Sequence, residues 1–477
     1  MKGHRMRRWL ILLLLLALLP TVSHAGPPEP FDAPYVAALR PAFAGDADRP
    51  DLPHYLVRVH VDPVAGELRG TLDLLFRNMA GVALPDVVLR LYANFPRDVF
   101  GDGGDGAATV SDVRAGGAAV RPAYLAQRTA VRLPLPRPIA PGKDIQISLS
   151  WSARVHPLRG TDDTLPLPGA IPQLAVWDGG WRTDVTTLPD HVYAVSGLYH
   201  ALVSAPSEWA VASGGVEIGK TTQNGITTTE IVAGPVREFA FALGRFATHE
   251  ADAAGVTVRV LYRKGGRVSP DTARKIVARA VQSLTTAADR FGPYPYRALN
   301  FCVLEAGRGF SDAREYPGFI LLLLDRGYSA TTHADVAHEV GHQWFYGMVG
   351  NDIYRDPWLD EALAQYTTFV VMQQWDGAAA ANAYFSSDIA ALGKRARYRL
   401  GLPANQYPSW GSYYASVYGK GGLFVAALRK AVGDKAFFEG LRRYVNSSRY
   451  GIAHPDDLRR ALDAASGQSL ANLFPNA

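Results

Sequence analysis

The chain has 477 residues, a formal net charge of +5, 48% hydrophobic residues and a single cysteine, a size that suits two or three domains with real cores. Lys2, Arg5, Arg7 and Arg8 supply four of those charges, leaving +1 (5 − 4) for the rest, with no later basic tract of the kind that binds nucleic acid. Cys302 has no second cysteine to pair with, so an intramolecular disulfide is excluded.

Residues 1–25 read as a secretory signal. The basic head is followed by an apolar run from Trp9 to Leu19, then Pro20, with Ser23-His24-Ala25 at the expected cleavage point. The run is short for a membrane span, so export to the periplasm or medium without a lasting anchor is expected. Residues 26–50 follow as a linker.

From 51 to 265 the apolar residues recur with period two. Tyr55-Leu56-Val57-Arg58-Val59-His60-Val61 and Asp144-Ile145-Gln146-Ile147-Ser148-Leu149-Ser150-Trp151 both predict half-buried antiparallel strands. Pro141-Gly142 and Asn224-Gly225 mark turns, and Gly101 to Gly117 reads as a surface loop whose Asp102, Asp105 and Asp112 match no calcium loop. This half is a β-domain, a curved sandwich or saddle.

After residue 265 the period lengthens. Ser269-Pro270-Asp271 caps a helix with Ile276, Val277, Ala280, Val281, Leu284, Ala288 and Phe291 on one face, ended by Gly292-Pro293. Strands are predicted through Cys302, itself a core residue, and over Phe319 to Leu324, which is placed as an edge along a cleft. A helix starts near Thr332, and further helices cover Gly421–Val432, Lys435–Tyr444 and Pro455–Ala465. The whole is α+β, with a mostly helical domain over residues 266–477.

The chemistry concentrates in His338-Glu339-Val340-Gly341-His342. Residues four apart share a helix face, so His338 and His342 can offer two imidazole nitrogens to one ion. Glu339 lies beside that face, placed to take a proton from a water. A catalytic zinc takes three protein ligands, and Glu361, nineteen residues beyond His342 at the start of the next helical pattern, is the candidate third.

These residues resemble the aminopeptidase N family of gluzincin metallopeptidases over nearly the whole mature chain. The resemblance implies a thermolysin-like catalytic domain with one Zn2+ per chain on His338, His342 and Glu361, and Glu339 as general base. It also implies a short form without the C-terminal domains of larger relatives. It places Asp356 as an outer partner for an imidazole. Ala313-Arg314-Glu315-Tyr316-Pro317-Gly318 stands where the family binds the substrate amine, which makes Glu315 the amine anchor. Asp312, Arg314 and Tyr316 depart from that motif. Val417-Tyr418-Gly419-Lys420-Gly421 is similar to the family's oxyanion segment, with Tyr418 the donor, and Arg237 to Ala242 and Phe291 to Tyr296 are further matches. The implied activity is zinc-dependent aminopeptidase action on peptides. The alternatives are an endopeptidase or specialised hydrolase on the same scaffold, and an exported binding protein with a relict site.

Overall fold

A computed structural model describes residues 34–96, 107–155, 164–186, 188, 192–307, 311–325 and 327–475. The expected signal segment, and Asp102 and Asp105, lie outside the described residues. The described residues from Pro34 onward form one unit. Tyr35–Ala38 and Pro41–Ala47 are two short 3-10 turns in the expected linker, and Tyr35, Ala38, Leu39 and Phe43 are buried.

The β-rich half holds an eight-stranded sheet, a four-stranded sheet and a three-stranded sheet. Alternation behaves as predicted. In the strand His54–Asp62, Val57, Val59 and Val61 face the core, and in Asp144–Arg154 it is Ile147, Leu149, Trp151 and Ala153. Pairing is not all antiparallel, because His54–Asp62 lies parallel to Gly197–Pro206 while running antiparallel to Glu67–Arg77. Part of the expected loop before Gly117 is strand, Thr109–Ala115, and it contains Asp112.

A five-stranded sheet backs the helices. Its order is Phe246–Asp252, Thr257–Arg263, Ala298–Glu305, Phe319–Leu324 and Asp312–Tyr316. Residue 265, the expected domain boundary, falls between its second and third strands in the chain. Phe319–Leu324 is an inner strand and not the edge that was expected. All six of its residues are buried, as an apolar run covered on both faces should be. The edge is the half-buried, polar Asp312–Tyr316.

Helix α1 spans Pro270–Phe291, and the Ser269 side chain accepts from the Thr272 amide at its N-terminus. Helix α2, Ala330–Gly341, starts at Ser329 with a reciprocal cap from Thr332. Helix α3, Trp358–Trp375, is almost wholly buried along its first four turns. Gly341 lets α2 and α3 close on each other: a β-carbon there would lie 3.1 Å from Ala364 Cα and Thr367 Cβ, closer than packed carbons ordinarily sit. A long helical segment, Gly421–Ser448, turns at Gly433 with φ 77° where two helices were expected, and Pro455–Ser466 follows. No helix among the described residues is long and apolar enough to cross a membrane.

Candidate metal centre

The close approach of α2 and α3 brings three ligand atoms together. His338 Nε2 lies 3.2 Å from Glu361 Oε2, His342 Nε2 lies 3.3 Å from the same oxygen, and the two imidazole nitrogens are 3.0 Å apart. The potential ligand atoms of all three residues fall within 4.8 Å of one another. Two imidazoles and one carboxylate on buried, packed elements fit a zinc ion with an open fourth position. Among the described residues no other cluster of His, Cys, Asp and Glu meets this test.

Charge in the centre is tightly balanced. Burial disfavours both the Glu361 carboxylate and a protonated His342. Attraction overrides it: His342 and His338 hold Glu361 well below the usual carboxylate range, and Glu315, then Glu361, hold His342 well above the usual imidazole range. Burial pushes the Glu339 carboxyl well up, and Glu315 and Glu361 push the same way. Glu339 is 4% exposed and its Oε2 has no hydrogen-bond partner within the protein. A buried carboxyl with one free oxygen and a raised pKa is suited to moving protons near neutral pH.

Tyr418 lies in a π-helical turn, Ala415–Lys420. Its ring stacks on His338, with centroids 5.8 Å apart and planes 14° apart, and its hydroxyl donates to Glu361 Oε1. Glu315 sits on the edge strand, pairing with Ile320, and its carboxyl is raised by burial first while His342 and Glu361 act on it directly. The metal triad, Glu339, Glu315 and Tyr418 are therefore brought together. Arg314 bonds Asp312 at 2.9 Å, and strand alternation puts both on the face opposite Glu315.

Asp356 is not a partner of either imidazole. Its carboxyl, raised to about 6 by burial, interacts with Asp352 and His454. His342 Nδ1 instead bonds the Phe345 carbonyl at 3.0 Å. The expectation failed because counting along the chain ignores where the helix begins: Asp356 precedes α3, the helix that carries Glu361. Gln343 was also missed. Its Oε1 accepts from the Gly318 amide at 2.8 Å and its Nε2 donates to the Tyr316 carbonyl at 3.2 Å, tying the Glu315 strand to the residue after His342. Gly318 has φ 71°, and a β-carbon there would meet the Gly214 carbonyl oxygen at 2.6 Å.

Residues 319–476 match the peptidase family M1 domain. The chain carries a family M1 peptidase domain. Aminopeptidase N of Lactococcus lactis subsp. cremoris strain MG1363 is 32% identical over 143 residues, 28% of this chain and 17% of that protein. Alanine/arginine aminopeptidase of Saccharomyces cerevisiae is 25% identical over 147 residues, 29% of this chain and 17% of that protein. The chain thus spans about a sixth of the length of these relatives. An M1 zinc metallopeptidase from Deinococcus radiodurans superposes with a TM-score of 0.66 at 21% identity, over 89% of this chain and 92% of that one. That likeness extends the shared fold across the β-rich half as well as the M1 domain.

Proposed function

We propose that this M1 chain is a zinc-dependent aminopeptidase that hydrolyses the first peptide bond of peptides. Zinc held by His338, His342 and Glu361 supplies Lewis acidity to the scissile carbonyl and to a water. Glu339 takes the proton of the attacking water and returns it to the leaving nitrogen, so the reaction balances without another acid. Tyr418 donates its hydroxyl hydrogen to the oxyanion that develops, an interaction stronger in the transition state than in the ground state. Glu315 accepts from the substrate α-ammonium and so sets the cut one residue from the end.

The observation that carries the reading is the position of Glu315, a buried carboxyl on the edge strand acted on by His342 and Glu361, two of the metal ligands. Aminoacyl fluorogenic substrates with free and acetylated amines, with and without a zinc chelator, test it. Free-amine substrates should be cleaved, acetylated ones poorly, and the chelator should abolish both. Equal cleavage of acetylated peptides with internal cuts assigns an endopeptidase instead. The pattern of residues 1–25 supports export to the periplasm or medium, and N-terminal sequencing of the exported protein should begin at Gly26.

A further inference from the structure

Three ring side chains follow one another at four-residue intervals: Trp410, Tyr414 and Tyr418. Ser409 opens the helical turn Trp410–Tyr414, its side chain accepting from the Ser412 amide at 3.3 Å, and the chain runs on into the π-helical turn that holds Tyr418. Residues four apart share a helix face, so the rings form one row. Trp410 stacks on Tyr414 with centroids 5.4 Å apart and planes 29° apart, Tyr414 lies 4.6 Å from Tyr418, and Tyr418 stacks on His338 at 5.8 Å. The row thus leads outward from a metal ligand. Tyr413 is buried beside Trp410, centroids 5.4 Å apart, whereas Trp410, Tyr414 and Tyr418 are each half-buried and keep part of their surface accessible.

The two ends of α2 give the row its place in the cleft. Glu315 belongs to the strand that Gln343 holds through the Gly318 amide and the Tyr316 carbonyl, at the His342 end of the metal helix. His338 lies one turn back towards the start of α2. A peptide whose ammonium meets Glu315 and whose first carbonyl meets the metal must carry its second residue on past His338, the side on which Tyr418 begins the row. A ring or other broad apolar side chain there leaves water for the aromatic surface and can stack on it. We infer that Trp410 is a specificity-determining residue that receives the side chain of the substrate's second residue and selects aromatic and large apolar side chains at that position. Tyr414 supports the indole through its ring, and its hydroxyl has no part in the choice. Burial first, then Asp388 and Asp335, raise that hydroxyl to about 12, so carboxylates lie near the row and a basic side chain is the competing occupant. The inference rests on the aminopeptidase reading above.

The test is kcat/KM of the zinc-loaded protein on three tripeptides with alanine at both ends and phenylalanine, glycine or lysine between, with zinc content and melting temperature measured on each sample. The unmutated protein should prefer the phenylalanine peptide to the glycine peptide about tenfold or more. In Trp410→Ala that preference should shrink to about threefold or less, chiefly through a higher KM for the phenylalanine peptide. Trp410→Phe keeps a ring and should retain a preference of about fivefold or more. Should Trp410→Ala fail to fold, Trp410→Gln, which keeps bulk without an apolar face, replaces it with the same expectation. A ratio near one in the unmutated protein, or a ratio unchanged in Trp410→Ala, overturns the inference. So does a preference of the unmutated protein for lysine over phenylalanine, which gives the row to a cation. An unmutated protein that releases the first residue from none of the three peptides removes the aminopeptidase reading and this inference with it, and the two failures are thereby told apart.

Discussion

Tyr418→Phe separates two roles that one hydroxyl can have. In the structure it donates to Glu361 Oε1, which belongs to a metal ligand, while the ring stacks on His338 at 5.8 Å and lies 4.6 Å from the Tyr414 ring and 6.0 Å from the Trp410 ring. Phenylalanine keeps these ring contacts and the one to Tyr413. The folded state loses one hydrogen bond to a charged group, about 1.5–3 kcal/mol at most. If the hydroxyl turns to the oxyanion during the reaction, the transition state loses about 3–4 kcal/mol, which lowers kcat roughly 100- to 1,000-fold with KM changed little. If its work is only to hold Glu361, zinc leaves the protein and activity falls with zinc content. Steady-state kinetics on a free-amine aminoacyl substrate, with zinc measured on the same sample, distinguishes the two. We expect full zinc and low kcat. A variant with full zinc and a kcat within about threefold of the unmutated protein refutes the oxyanion role. Tyr414→Phe is the control, expected to be near normal.

His338→Ala, His342→Ala and Glu361→Ala should each lose most of about one zinc per chain, measured by elemental analysis; stoichiometric metal in all three would remove the site. Glu339→Gln should keep zinc and lose two or more orders of magnitude in turnover. Glu315→Gln should cut activity on free-amine substrates about tenfold or more, through the lost charge-assisted bond, and an unchanged rate would return Glu315 to a structural role. Burial raises the Glu238 carboxyl, 1% exposed and bonded by the Tyr346 hydroxyl at 2.5 Å, to about 8 from 4.5. The folded protein therefore holds this proton where the unfolded chain releases it. The stability it protects is present below about pH 4.5 and is lost as pH rises towards 8. The gap of 3.5 (8 − 4.5) bounds the loss at about 5 kcal/mol, and relaxation of the site should leave about 1–3 kcal/mol. Melting curves from pH 4.5 to 8.5 should fall more for the unmutated protein than for Glu238→Gln; parallel curves would contradict the burial effect.

Much of the site was legible because its chemistry is local. His338 and His342 share a helix face by spacing alone, and Ser269 marks the start of α1 by its side chain. Alternation along His54–Asp62 and Asp144–Arg154 likewise gave the core faces of both strands, since a side-chain period of two needs no knowledge of the neighbour. Glu361 followed from the need for a third ligand, but a family resemblance was needed to name Glu315 and Tyr418.

What lies across the molecule was not legible. That Asp312–Tyr316 is the edge and Phe319–Leu324 an inner strand depends on which strands pair, and that is settled by burial of a whole sheet. The sheet also draws in Phe246–Asp252 and Thr257–Arg263, which local pattern had grouped with the β-rich half. The partners of the imidazoles were decided the same way. Gly341 lets α2 approach Ala364 and Thr367, and that contact carries Glu361 to the two imidazoles while Asp356 is left outside. Spacing along one helix determines which side chains can reach a metal together. Only the packing of a second helix against it decides which group stands behind each ligand, because that contact is made between residues the chain keeps far apart.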